Sequence, residues 1–510
     1  MSAKKRAYLN FIASTGYQAS NLLVGLILPK IYTETFGSIY NGLNSSIAQI
    51  MSLLHVLTFG ISAVSIQQMF KYIACNDNDM ITAIYRETEK QYRHMGYIFL
   101  ISLIPIAIIF PLAIHDNLSY KIIVTFLLFR SISSAMEYFF QAKYSVMLVA
   151  QNKSYAIYSI NILLLINGTI LHLSVLFTLK NIIIYQAVAV LLSLLRLVIV
   201  HTYIYHQYPF LKNSISKEYI LPKSTQRKDV LISEIAGMII DSTDLLVLSI
   251  FSGLVFASIY SIYNFVITGV ANVLSSCREA VFAGIGKSYY QDTEDFNRKM
   301  SRFESIYISL CFLLYSTCIL LFKPFIEIYT SKMDTNYVNK WFPLLFIIAK
   351  MLVNFRIPSI IAINTAGHFR QVKNYAVIEA LINIFVSLIL VNRYGIYGVI
   401  GGTIAGAAYR TPILIYYASI NIIKRNSFIY VKKILKWLPL FVLCTIVSLY
   451  KPFHCSSLIH WLILAIECMI IMIIVSFIWG SLIDSEIYSE IKSLINIIKK
   501  KIGINVNNFA

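Results

Sequence analysis

Apolar positions in this 510-residue chain come in long blocks separated by short polar interruptions. The blocks cover about residues 8–32, 39–70, 94–114, 121–147, 155–177, 182–205, 229–251, 256–283, 303–327, 339–362, 373–391, 396–420, 436–450 and 457–480. A run of roughly 20 apolar residues matches a hydrocarbon core about 30 Å thick. Inside that core each backbone amide needs a partner within its own helix or a closed barrel, so runs of this length predict helices. The pattern therefore predicts an all-α integral membrane protein with about 14 transmembrane helices. The polar stretch 206–228 separates helices 1–6 from helices 7–12, and helices 13 and 14 follow over 421–480. Beyond them Ile487, Ile491, Leu494 and Ile498 recur at helical spacing beside Lys499–Lys501. That spacing predicts an amphipathic tail over 481–510, lying on the cytoplasmic membrane face.

Composition agrees: 58% of residues are hydrophobic and 13% charged, against about 25% charged in soluble domains. The excess of 43 Lys+Arg over 24 Asp+Glu would suggest nucleic acid in a soluble protein. Here the cations concentrate in alternate loops. Lys4, Lys5, Arg6, Arg86, Lys90, Arg93, Arg298, Lys299, Lys424, Arg425, Lys432 and Lys433 fall on one side. Lys121, Lys180, Lys332, Lys340, Arg393 and Lys451 fall on the other. The positive-inside rule then sets both termini in the cytoplasm, and nucleic acid is not a partner. The first apolar block reads as a signal anchor rather than a cleaved peptide. Seven cysteines without a CxxC pair give no disulfide framework and no metal site.

The two halves carry a weak repeat. Gly37-Ser-Ile-Tyr40 follows helix 1, Gly253-Leu-Val-Phe256 follows helix 7, and each opens a long helix. Repeated halves facing a midplane site are a common transporter design.

Charges within the apolar blocks are costly and mark candidate chemistry. Arg130, Lys350 and Arg356 are candidates for a cationic cavity, because guanidinium forks suit phosphate. Arg130 and Glu137 stand seven residues apart on one helical face, as a packing pair or a functional one. Asp241 and Asp244 lie one turn apart and repel when both are ionised, which suits a proton relay. Glu137, Asp241 and Asp244 are thus candidates for H+ or Na+ coupling; no cofactor is called for. Arg196, Arg278 and Glu304 read as charges that snorkel from cytoplasmic helix ends. Gly398, Gly402 and Gly406 form a GxxxGxxxG face for close helix packing. Gly284-Ile-Gly286-Lys287-Ser288 is not a P-loop, since Val281 occupies the required first glycine position. Asp77-Asn-Asp79 reads as a helix cap rather than a metal-binding pair.

Several local patterns combine in order along the chain. They are Gly37-x-x-Tyr40-x-Gly42-Leu43, Ala150-Gln151-Asn152-Lys153-Ser154-Tyr155, Tyr208-Pro209, Asp241-Ser-Thr243-Asp244, Tyr260-Ser261-Ile-Tyr263-Asn264, and Asn383 followed by Gly395-Ile-Tyr-Gly398-Val-Ile-Gly401-Gly402-Thr403. Over roughly 8–420 the chain resembles the bacterial polysaccharide flippases (Wzx-type, serving O-antigen or capsule repeat units) of the MOP superfamily. The resemblance implies an N-lobe over 1–205 and a C-lobe over 229–420, six helices each, around a central cavity with alternating access. It implies the bacterial inner membrane, and a substrate of undecaprenyl-diphosphate-linked oligosaccharide flipped to the outer leaflet. Membrane lipids, a polysaccharide polymerase and a chain-length regulator are the expected partners. The 35 tyrosines suit sugar stacking as well as the ordinary interfacial belt. Two alternatives remain: a MATE-type multidrug cation antiporter, and a membrane polysaccharide polymerase or ligase. The enzyme is disfavoured because the longest outer loop, about 328–338, carries only Lys332 and Asp334 as charges.

Overall fold

A computed structural model describes residues 3–58, 60–212, 227–484 and 486. The amphipathic tail over 487–510 and most of the loop 206–228 lie outside the described residues. Among the described residues the chain is helical with no strand, and every apolar block becomes a helical rod. Single helices form α1 (Ala3–Phe36), α4 (Asn78–Ala113), α7 (Ser154–Ser174), α8 (Ile182–Gln207), α9 (Arg227–Phe251), α10 (Leu254–Gln291) and α11 (Thr293–Tyr329). Later in the chain come α14 (Phe369–Tyr394), α15 (Ile396–Asn421), α16 (Phe428–Tyr450) and α17 (Leu458–Ile483).

Three rods are broken, each for a local reason. The second divides into α2 (Ser38–His55) and α3 (Ile61–Ala74) near Gly60, whose φ of 80° is open to glycine. The fourth runs as α5 (Tyr120–Met136), a π-helical segment (Glu137–Gln141) and α6 (Ala142–Ala150). The tenth divides at Arg356 into α12 (Phe342–Phe355) and α13 (Ile357–Ala366), because Pro358 cannot supply an amide to a continuous helix. Asp77 caps α4, its side chain accepting from the Met80 amide at 3.0 Å.

Eleven of the described rods are long and apolar enough to cross a membrane. The second, seventh and twelfth fall short, and packing explains why. α2 packs against α9, and α15 against α12, α13 and α14. A helix that faces protein can carry Ser, Asn, Gly and charge that lipid would exclude.

The chain forms two compact units: residues 1–261 with Met333–Thr335, and Ile262–Lys332 with Asn336 onward. The division falls inside α10, after Ser261. α9 follows the 206–228 loop in sequence, and its contacts place it in the first unit, against α2. The first unit buries Leu43, Ile47, Met69, Phe99, Met147 and Ile204 in one core.

In the second unit α14 and α15 form a hairpin turned by Gly395, at φ 52°. Their backbones touch along the glycine face: a β-carbon at Gly402 would stand 2.6 Å from the Asn383 carbonyl oxygen, and one at Gly406 3.0 Å from that of Glu379. α16 and α17 pack on α11, with Trp437 stacked on Phe312. Glu304 does not snorkel. It is 2% exposed, bonds to Arg425 and lies 3.6 Å from Lys433, which also holds Glu486 at 3.0 Å.

Candidate functional site

The first unit holds an open cavity of about 490 Å³ whose walls come from α2, α5, the π-helical segment and α8. Its charged side chains are Arg130, Arg196, Glu137 and His55. The Arg130 guanidinium donates through Nη2 to Asn44 Oδ1 at 3.2 Å. The Nε atoms of both arginines are buried and make no hydrogen bond among the described residues. The Glu137 carboxylate in the same cavity is 42% exposed and its Oε2 stands 3.8 Å from His55 Nε2. Two fixed positive charges thus share the cavity with one carboxylate and one imidazole.

Local structure sets this geometry. Arg130 and Glu137 share a face because seven residues make nearly two helical turns. Immediately after Arg130's helix, the π-helical segment carries Glu137 at one end and Gln141 at the other. Such segments insert one residue into a helix and recur at functional sites. The Gln141 amide is pinned by donating to the Ser193 carbonyl at 2.9 Å. Ser52, Ser133, Ser134 and Ser193 supply the remaining polar wall. Among the described residues no tyrosine lines this cavity. Tyr85, Tyr263, Tyr307 and Tyr315 are instead fully buried in packing.

The other candidates lie elsewhere. Arg356, expected in a cationic cavity, is 7% exposed in the second unit. Its Nη1 donates to Glu379 Oε1 at 2.6 Å, while Arg410 Nη1 donates to Glu379 Oε2 at 2.9 Å. One carboxylate between two guanidiniums at the α12–α13 break makes a buried ion triad rather than a cavity wall. Lys350 lies one turn before Asn354, which donates to its carbonyl at 2.8 Å. Asp241 and Asp244, both on α9 in the first unit, differ in surroundings. Asp241 is exposed; Asp244 is 3% exposed and accepts from the Tyr260 hydroxyl at 3.0 Å. Among the described residues, no group of three His, Cys, Asp or Glu side chains could hold a metal ion.

Arg196, His55 and Gln141 are the cavity residues that sequence reasoning did not select. Arg196 had a readable signal, since it lies midway along α8, well away from either end.

This all-helical chain, with helices long and apolar enough to cross a membrane, is similar in fold to solved transporters. Among solved structures, the chain is similar to the lipid II flippase MurJ in an inward closed conformation. That match has a TM-score of 0.64 at 15% identity and covers 93% of this chain and 98% of that one. It is also similar to a multidrug resistance MATE family transporter of the MOP superfamily, inward-facing (TM-score 0.57, 12% identity, 84% of this chain and 96% of that one). An outward-facing MATE family transporter matches with a TM-score of 0.53 at 13% identity, over 82% of this chain and 95% of that one. At these identities the likeness is one of fold. No protein-family model and no curated protein matches the sequence.

Proposed function

We propose that this protein is a flippase for undecaprenyl-diphosphate-linked oligosaccharide repeat units. It moves them from the cytoplasmic to the outer leaflet of the bacterial inner membrane for surface polysaccharide synthesis. The observation that carries the reading is that Arg130 and Arg196 both line one polar cavity, each with a buried Nε donor unmatched among the described residues. Arginine stays charged in a membrane and binds phosphate in a fork, so a diphosphate leaving water finds its two-point partner there. Serine hydroxyls and Gln141 supply hydrogen bonds for the first sugar, while the prenyl chain stays in lipid. Glu137, beside His55, and the buried Asp244 on α9 are the candidates for coupling the cycle to H+ or Na+. Alternating exposure of two helical lobes then completes the transfer.

The second reading, a multidrug cation antiporter, draws on Glu137 in the same cavity. Two arginines in that cavity repel a cationic drug, which ranks it second. The deciding test is the sidedness of lipid-linked oligosaccharide in cells lacking the protein. Intermediate trapped on the cytoplasmic leaflet supports the flippase. Normal surface polysaccharide with raised sensitivity to cationic drugs supports the antiporter and sinks the flippase.

A further inference from the structure

The two repeat-like segments of the sequence share one unusual arrangement. α2 and α10 both begin directly after a glycine in a left-handed conformation, Gly37 at φ 93° and Gly253 at φ 97°. Neither helix is capped by its own chain neighbours. The Asp334 carboxylate accepts from the Ser38 amide, with Oδ1 at 3.1 Å and Oδ2 at 3.0 Å, and also from the Ser38 hydroxyl. The Asp116 carboxylate accepts from the Leu254 amide at 2.8 Å. A carboxylate at a helix N-terminus satisfies orphan amides and complements the helix dipole. Both caps require glycine at the preceding position: a β-carbon at Gly37 would stand 3.0 Å from Asp334 Oδ2, and one at Gly253 3.3 Å from Asp116 Oδ1.

The aspartates that accept in these caps are remote in sequence from the helices they cap. Asp334 belongs to the tripeptide Met333–Thr335, which groups with the first unit although Lys332 and Asn336 on either side belong to the second. Asp116 holds the start of α10, the helix that leaves the first unit after Ser261. Beneath the caps, α2 meets α9 and α10 through small polar groups. Asn41 Nδ2 donates to Ser258 Oγ at 2.7 Å and Ser46 Oγ to Ser249 Oγ at 2.9 Å. Gly42 lies against the Leu254 carbonyl, leaving no room for a β-carbon. Water can replace every one of these hydrogen bonds when the seam parts.

We infer that Asp116 and Asp334 are a matched pair of positioning residues. They latch the α2–α10 seam shut in the conformation described here and release it when the transporter opens on that face. Asp334 is itself exposed, so its bonds can exchange with water directly. The inference rests on the transporter reading, but its test needs no substrate.

Ser258, at 0% exposure under the latch, is replaced by cysteine in a background whose native cysteines are serine. Its reaction with a membrane-impermeant maleimide is then timed in intact cells. Removing the caps with Asp116→Ala and Asp334→Ala should speed labelling roughly tenfold, as loss of one or two helix caps predicts. Asp334→Asn, which keeps an acceptor but no charge, should fall between. A slot with only a structural role gives lower melting and unchanged labelling, which overturns the inference, as does labelling at the parent rate in both alanine variants. Faster labelling combined with normal oligosaccharide sidedness in cells lacking the protein would leave the latch standing and remove the flippase.

Discussion

Glu379→Ala removes the one carboxylate that the structure places between Arg356 and Arg410. Glu379 is 1% exposed, and its two oxygens each accept one guanidinium, at 2.6 and 2.9 Å. The arginine side chains themselves are only 9% and 11% exposed, so the alanine leaves both charges in a dry interior. Removing one member of a buried pair costs about 3–5 kcal/mol. Arg356 loses its acidic partner, so a loss within that range is expected. For a unit of some 250 residues this lowers the melting temperature by on the order of 10 °C. A thiol-reactive fluorophore reads it directly, since Cys311 and Cys318 are buried in the same unit and react only when it unfolds. Glu379→Gln, which keeps an acceptor, should lose less. The triple change to methionine at 356, 379 and 410 should melt near the parent, because a buried ion triad and well-packed apolar side chains are often of equal stability. A parent-like melting curve for Glu379→Ala would refute the argument that the triad holds the α12–α13 break in place.

Further outcomes follow from other contacts. Gly402→Val should part α14 from α15 and destabilise the second unit by about 1–3 kcal/mol, seen in the same melting assay. On the proposed flippase reading, Arg130→Ala and Arg196→Ala should each abolish transport with normal membrane levels on immunoblots; wild-type transport by either would strike it from the site. Asp244→Asn should flatten the pH dependence of transport and Asp241→Asn should not, since only Asp244 is buried against Tyr260. Identical pH profiles for both variants and the parent would end the relay idea.

The fourteen helical rods were legible because hydrophobic length is a property of contiguous sequence. The glycine face of α15 was legible for the same reason: its spacing of four is local. The breaks at Gly60 and Arg356 had their signals in a glycine and in Pro358. Pairings between remote positions left no such mark. Nothing in the spacing of Arg356, Glu379 and Arg410 announces that two cations share one acid, so the arginine read as a free cavity cation. Arg196 reads from sequence as a charge near a cytoplasmic helix end, although it lies midway along α8. Asp334 counted only as a stray charge in an outer loop until its contact with Ser38 gave it a partner.

The π-helical turn at Glu137–Gln141 has a consequence for how this chain can vary in length. One surplus residue there sets the angular phase between everything before it and everything after. Ahead of the turn stands Arg130; behind it stand Lys143, bonded to Glu89 at 2.7 Å, and Tyr144, whose hydroxyl lies 2.6 Å from His201 Nδ1. Deleting a single residue between Tyr138 and Phe140 would restore an ordinary helix and rotate one side against the other by about 100°. The arginine and the lysine could not then both keep their partners. Substitutions in this stretch are graded changes, whereas the count of residues is all or nothing, so the fourth rod should tolerate many sequences and only one length.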